Sequence, residues 1–299
     1  MEKILITGSN GLLGQKLVYQ LLKDKTHHIV ATAKGENRLK LQEGYKFISL
    51  DITSRELVDK VISSEKPDVV IHTAAMTNVD QCEKEMDAAD LLNVRSVEFI
   101  VDACVKNNAF LVHLSTDFIF DGANGPYKEN DAPNPLSFYG MTKLKAEEVI
   151  MNSRVKAAIL RTVLVFGIVD DMSRSNIVLW AKEAFEKGTS INVVDDQFRT
   201  PTLAEDLAQG CLLAAENKIK GVFNISGKDF MSIYELVERV GKFWNLDTSN
   251  MTRVSSETLN QPAKRPAITG FEITKAIGIL GYNPHSFEEG LAIVKKQIE

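Results

Sequence analysis

The chain of 299 residues is poor in cysteine: Cys82, Cys104 and Cys211 are an odd set with no CxxC spacing. That argues against a disulfide framework and fits reduced thiols packed as small hydrophobes in a cytoplasmic protein. No run rich in Lys or Arg occurs, and 40 acidic residues outnumber 35 basic ones for a formal net charge of -5. Nucleic acid is therefore not an expected partner. Long hydrophobic runs are also missing. Ala157–Val169 is apolar but short and interrupted by Arg161, which predicts a buried strand and no membrane span. The N-terminal apolar stretch is too short for a signal peptide. No internal repeat, low-complexity tract or flexible linker breaks the chain.

What is present is an alternation. Lys3–Thr7 is apolar and β-branched and stops at Gly8, and leucines then recur at helical spacing through Leu22. Strands are predicted at His28–Thr32, Lys46–Asp51, Asp68–Thr73, Phe110–Ser115 and Ala157–Val165. Helices are predicted at Glu56–Ser64, Ala88–Lys106 and Leu136–Met151. The strands are near-continuous apolar runs, as expected when helices cover both faces of a parallel sheet. The fold class expected is α/β, a doubly wound parallel Rossmann sheet with a smaller, partly discontinuous C-terminal substrate-binding region. Residues 1–166 form the nucleotide-binding part, with 196–226 returning to it. The substrate region is 167–195 and 227–299. In that second part Asn176–Lys187, Leu203–Glu216 and Ile233–Phe243 read as helices. Ser190–Val194 and Gly221–Ile225 read as strands, and helices are expected near Ile273–Leu280 and Phe287–Ile298.

The loop Gly8-Ser9-Asn10-Gly11-Leu12-Leu13-Gly14 has the spacing GxxGxxG. Gly8 allows the tight turn, Gly11 the approach of backbone to a pyrophosphate, and Gly14 close packing of helix on sheet. The helix N-terminus supplies amide donors and a favourable dipole. Gly8, Asn10, Gly11, Leu12, Leu13 and Gly14 are thus the expected dinucleotide contacts. The end of the second strand, Thr32-Ala33-Lys34-Gly35, carries no acid to take a ribose 2′-hydroxyl. Lys34 and Arg38 could meet a 2′-phosphate, which favours NADPH, with NADH as the alternative. Asp51 and Ile52 lie where an adenine edge would sit, although Asp51 could instead cap the following helix.

Tyr139 and Lys143 stand at i and i+4 and share a helix face. A nearby ammonium stabilises phenolate and draws the tyrosine pKa toward the working range. Lys143 can also bond a nicotinamide ribose. Ser115-Thr116-Asp117 closes the fifth strand beside this helix, so Thr116 can bond a substrate carbonyl oxygen while Tyr139 supplies its proton. The remaining polar and aromatic residues have plainer readings. His27-His28, His72 and His113 are core or edge histidines and no metal set. Trp180 and Trp244 are core residues, and Asp195-Asp196 are turn residues. No metal ligand is assigned.

With these residues in view the chain resembles the dTDP-4-dehydrorhamnose reductase family, an extended short-chain dehydrogenase/reductase. The match runs through Thr7–Gly14, His72–Glu83, Asn93-Val94, Leu114–Gly122, Tyr139–Lys143, Arg161-Thr162, Asp196-Gln197 with Pro201-Thr202, and Lys264-Arg265-Pro266. The resemblance implies NADPH-dependent reduction of the C4 ketone of a nucleotide-linked 6-deoxysugar, with Thr116, Tyr139 and Lys143 as the catalytic trio. It implies that Ala74, Ala75 and Thr77 line the nicotinamide side. Thr77, Val79, Asp117 and Arg161 would approach the sugar or its phosphates, and Gln197, Arg199 and Arg265 would hold the nucleotide diphosphate. Arg161-Thr162 runs into Val163-Leu164-Val165-Phe166-Gly167, closer to the sugar-nucleotide epimerase pattern. Ala267-Ile268 replaces the usual Asn-Ser, and Gly35–Tyr45 is a longer insertion than the family leads one to expect. A nucleotide-sugar epimerase or dehydratase is the alternative enzyme. A non-catalytic NADP-binding regulatory subunit is the alternative outside catalysis. Some relatives bind Mg²⁺ at subunit contacts, but that site does not map onto this chain. A homodimer is compatible with the sequence.

Overall fold

The computed structural model describes residues 1–171, 175–259 and 261–299. Met172–Arg174, within the expected substrate region, and Asn260 lie outside the described residues. The strands are β1 (Glu2–Thr7), β2 (His27–Ala33), β3 (Lys46–Ser49), β4 (Val69–His72), β5 (Phe110–Thr116), β6 (Ala157–Thr162) and, much later, β11 (Gly221–Asn224). They form one sheet in the order β11-β6-β5-β4-β1-β2-β3. Every neighbouring pair is parallel, so the sheet is the doubly wound Rossmann arrangement that the alternation predicts.

Helices cover both faces, each start and stop set by local chemistry. Helix α1 (Leu12–Asp24) has Gly11 at its N-cap and no side-chain cap. Ser54 caps α2 (Arg55–Glu65) and Asn78 caps α3 (Val79–Lys84) by accepting backbone N–H bonds. Left-handed residues Lys25, Lys66 and Asn108 end α1, α2 and α5 (Ser96–Asn107). The single helix expected over Ala88–Lys106 is instead α4 (Met86–Asp90), a π-helical turn over Leu91–Arg95, and α5. The π turn changes the face that Asn93 presents, which an unbroken 3.6-residue pattern does not reveal. Ser137 caps α6 (Phe138–Met151) through the Gly140 amide, which puts Tyr139 in the first turn.

Two core layers flank the sheet. One packs Leu17, Val18 and Leu21 of α1 with Leu207, Ala208 and Cys211 of α8 (Ala204–Asn217), and the other packs Val58 and Ile62 of α2 with Val97, Ile100 and Cys104 of α5. The first layer also takes Phe271, Ile273, Ala276, Leu280 and Tyr282. The C-terminal part is thus more interleaved with the sheet than a substrate region of 227–299 suggests. A third core holds α7 (Ile177–Glu186), α9 (Ile233–Phe243) and α10 (Phe287–Ile298). With it lie the short ladders β7 (Val165–Phe166) with β10 (Thr202–Leu203), β8 (Ile191–Val194) with β13 (Met251–Val254), and β9 (Phe198–Arg199) with β12 (Met231–Ser232). The run Ala157–Val165 divides into β6 and β7 at Leu164, whose φ of 39° is left-handed. Trp180 is not the core residue expected, being 40% exposed, whereas Trp244 packs edge-on to Phe243. None of the described helices is long and apolar enough to cross a membrane.

Candidate active site

The glycine loop leaves β1 and enters α1. A Cβ on Gly14 would lie 2.3 Å from the Gly8 carbonyl oxygen and 2.6 Å from Ser9 Cα, so only glycine permits this approach. Because no side chain caps α1, its first amides stay open to an anion. The loop thus fits a dinucleotide pyrophosphate on its own geometry. Asn10 does not simply face a ligand. Its Oδ1 accepts from the Arg38 amide at 2.9 Å and its Nδ2 donates to the Glu36 carbonyl at 2.8 Å, which fastens the start of the 35–45 insertion to the glycine loop. Leu39 then anchors that insertion in the core.

Lys34 and Arg38 are exposed beside the loop. Lys34 pairs with Asp51 at 2.8 Å, and this bond together with Thr53 draws the Asp51 carboxyl down to about 2. Asp51 does not cap α2, since Ser54 does. Ile52 faces the core, so its side chain is not the adenine contact expected. Leu13 also packs on the core, while Leu12 and Ala75 stay half-buried. The Ala74 backbone lies against Gly8, and Thr77 is exposed. Asn93, part of the family resemblance but without an expected role, accepts from the Met76 amide at 2.8 Å and donates to the Met76 carbonyl at 3.0 Å and Thr142 Oγ1 at 3.1 Å. It pins the 74–77 segment to α6.

Thr116 ends β5, and Tyr139 and Lys143 reach the same corner from α6; all three are buried. A Cβ on Gly140 would fall 2.2 Å from the Phe118 carbonyl oxygen, so glycine there lets α6 press onto the end of β5. Burial pushes the Tyr139 phenol well above its ordinary value, reinforced by Asp117 and Cys82, while the Thr116 hydroxyl opposes the shift. The sequence expectation was the reverse. Lys143 is not among the groups that shift Tyr139, and it is itself drawn down by burial to about 8. Lys143 Nζ lies 3.4 Å from His113 Nε2. Val79 packs beside Tyr139 with Cys82 and Phe118.

Two arginines expected on substrate phosphates are committed elsewhere. Arg161 donates through Nε (3.0 Å) and Nη2 (2.7 Å) to the two oxygens of Glu147, and through Nη1 to the Glu129 carbonyl. Arg161 and Glu147 are 5% and 0% exposed, so Arg161 is a structural residue of the β6–α6 contact. Arg199 donates to the carbonyls of Phe198, Pro266 and Ala267, with Nε 3.6 Å from Asp117. Asp117 accepts from Thr269 Oγ1 at 2.5 Å and Thr116 Oγ1 at 3.1 Å. Burial pushes Asp117 up and Arg199 down, against their mutual attraction. These contacts lock the 266–269 segment against the catalytic corner instead of presenting a free guanidinium. Arg265 is the more accessible arginine, paired with Asp80 at 2.7 Å, and Gln197, just before Arg199 in the chain, is buried. The roles of Asn93, Thr269 and Glu147 were not readable beforehand, because each depends on a partner far away in sequence.

The parallel sheet, the open glycine loop and a buried Tyr/Lys pair against the end of β5 define a short-chain dehydrogenase/reductase scaffold of the extended type. The family model described as RmlD substrate binding domain matches residues 1–299, and the chain belongs to that family, the family of dTDP-4-dehydrorhamnose reductases. The dTDP-4-dehydrorhamnose reductase of Aggregatibacter actinomycetemcomitans is 30% identical over 311 residues, covering all of both chains. Methionine adenosyltransferase 2 subunit beta of Xenopus tropicalis is 32% identical over 261 residues, 86% of this chain and 76% of that one. A dTDP-4-dehydrorhamnose reductase structure from Clostridium acetobutylicum superposes with TM-score 0.85 at 31% identity, covering 99% of each chain. The Bacillus anthracis enzyme, solved in complex with NADP, gives TM-score 0.86 at 27% identity, again over 99% of each.

Proposed function

We propose that the protein reduces the C4 ketone of a nucleotide-linked 6-deoxysugar with NADPH. The observation that carries this reading is the convergence of Thr116, Tyr139 and Lys143 in one buried corner at the carboxyl end of β5. Tyr139 carries its proton at neutral pH, but the burial that raises its pKa makes it a weaker acid than the reaction favours, so this reading rests on the geometry of the corner and not on an activated phenol. The bound cofactor would supply the hydride. Tyr139 donates the proton, Thr116 orients the ketone oxygen, and Lys143 holds the nicotinamide ribose. Gly8, Asn10, Gly11, Leu12, Leu13 and Gly14 form the pyrophosphate seat, with Ala74, Ala75 and Thr77 on the nicotinamide side. Lys34 and Arg38 would face the 2′-phosphate; the Bacillus anthracis relative, solved in complex with NADP, supports the choice of cofactor. Thr77, Val79, Gln197 and Arg265 remain for the nucleotide sugar. Asp117, the acid beside Thr116, is engaged by Thr269, Thr116 and Arg199, which argues against a dehydratase that needs a free acid there.

The relatives named as methionine adenosyltransferase subunits favour a second reading, a cofactor-binding regulatory subunit. The retained trio weighs toward the enzyme. The deciding experiment follows NADPH absorbance with a dTDP-4-keto-6-deoxysugar. Steady oxidation is expected, and Tyr139→Phe should lower kcat by about 10²-fold or more with NADPH binding kept. NADPH bound in calorimetry without oxidation of any keto sugar would transfer the weight to the regulatory reading.

A further inference from the structure

One row of buried polar side chains has no part in the roles given so far. Thr7, His72 and His113 are register partners across β1, β4 and β5, on the face that carries α6. Thr7 Oγ1 shares a hydrogen bond of 2.7 Å with His72 Nδ1. The His72 and His113 rings stack with centroids 5.3 Å apart at 29°. The row ends at Lys143, through the 3.4 Å contact with His113 Nε2. It therefore connects the last residue before the glycine loop to the lysine of the catalytic corner.

The groups around Lys143 explain why a neutral ring matters there. Glu147, one turn further along α6, gives both oxygens to Arg161 of β6. The Glu147 charge still favours the Lys143 ammonium from a distance, but among the described residues no carboxylate forms an ion pair with it. Tyr139 on α6 is held neutral by burial, and so are His72 on β4 and His113 on β5. An ammonium can donate to Nε2 only if that nitrogen is bare, which puts the ring hydrogen on Nδ1. His113 Nδ1 is buried with no hydrogen-bond partner. A histidine placed for packing alone has little reason to leave that atom unsatisfied. The arrangement makes sense if the Nε2 contact fixes the ring.

We infer that His113, braced by His72, is a positioning residue that holds the Lys143 ammonium through its Nε2 lone pair, in the reduction proposed above on which this role rests. Removing the acceptor costs the ammonium a stabilising partner, so Lys143 should lose its proton more easily. The test begins with the unliganded protein, using NMR titration of lysine side chains labelled at the ε-carbon, with Lys143→Met to assign the signal. In the native protein Lys143 should titrate near 8. In His113→Leu the midpoint should fall by about one unit, a tenfold change in proton affinity. His113→Gln, which keeps an acceptor, should restore most of it. In turnover, His113→Leu should lower kcat about tenfold and move its pH profile with KM unchanged, with rescue by His113→Gln. A folded His113→Leu protein with an unaltered Lys143 titration, or a His113→Gln protein as impaired as the leucine variant, would overturn the inference. If the titration shifts as expected but native protein oxidises no NADPH with keto sugars, the reductase reading fails and the His113–Lys143 contact stands.

Discussion

The two ends of the site treat positive charge in opposite ways. At the proposed cofactor end Lys34 and Arg38 are exposed, and Lys34 is 78% accessible even while paired with Asp51. At the substrate end Arg161 and Arg199 are buried, with their guanidiniums distributed over a carboxylate and backbone carbonyls. The first pair can meet a ligand at the loss of only a weak surface contact. The second pair cannot leave without stranding a buried carboxylate. An arginine in a sequence is thus a cation, but whether it serves a ligand or the fold depends on what surrounds it.

The largest effect is expected at Arg161. Arg161→Ala should cost about 3–5 kcal/mol of stability, because Glu147 is left as an uncompensated buried charge. Replacing both partners together, Arg161→Met with Glu147→Leu, should recover most of that loss in denaturant titrations. A small effect of Arg161→Ala on stability with a large rise in substrate KM would instead return Arg161 to the ligand.

Lys143 is a buried cation of a third kind, held against the interest of the fold and, in the proposed reduction, for its chemistry. Its folded pKa of about 8 lies below the ordinary 10.5, so the unfolded chain binds its proton more tightly. The resulting handicap is fully present below pH 8 and fades as pH rises from 8 toward 10.5. Lys143→Met should accordingly be more stable than native protein by on the order of 2 kcal/mol at pH 7, and inactive. The stability gap between the two should close above pH 10. A gap that does not change with pH would mean that packing, not charge, separates them.

The smallest effects are expected at the exposed end. Lys34→Ala should weaken NADPH by several-fold, corresponding to about 1 kcal/mol or less, and NADH hardly at all. Asp51→Asn, which frees Lys34 from its carboxylate, should favour NADPH slightly. Equal losses of the two cofactors on Lys34→Ala would move the 2′-phosphate to Arg38, whose backbone Asn10 holds beside the glycine loop.

Much of this was legible in the residues. Apolar strand runs and the glycine spacing are local signals, and each acts within a few residues of where it is read. The caps are less legible: the sequence offers Asp51 as the cap for α2 where Ser54 serves, and Ser137 reads as lying inside the helix that it caps. The Tyr139/Lys143 pair is equally local, being one helical turn. The π turn at Leu91–Arg95 escaped because the apolar pattern survives a single inserted residue while the face shifts. Trp180 was misjudged because an apolar stripe does not say how far the neighbouring elements reach over it.

The parallel Rossmann sheet, the glycine loop and the family are written in the chain, since they follow from period, turn chemistry and contiguous motifs. Which charges are free is settled by the folded arrangement. Arg161 meets Glu147 across β6 and α6, Arg199 meets Asp117 over 82 residues of chain, and Lys143 of α6 meets His113 of β5. The physical reason is that burial and pairing set the energy of a charge, and both are properties of neighbours that the fold, not the local chain, brings together.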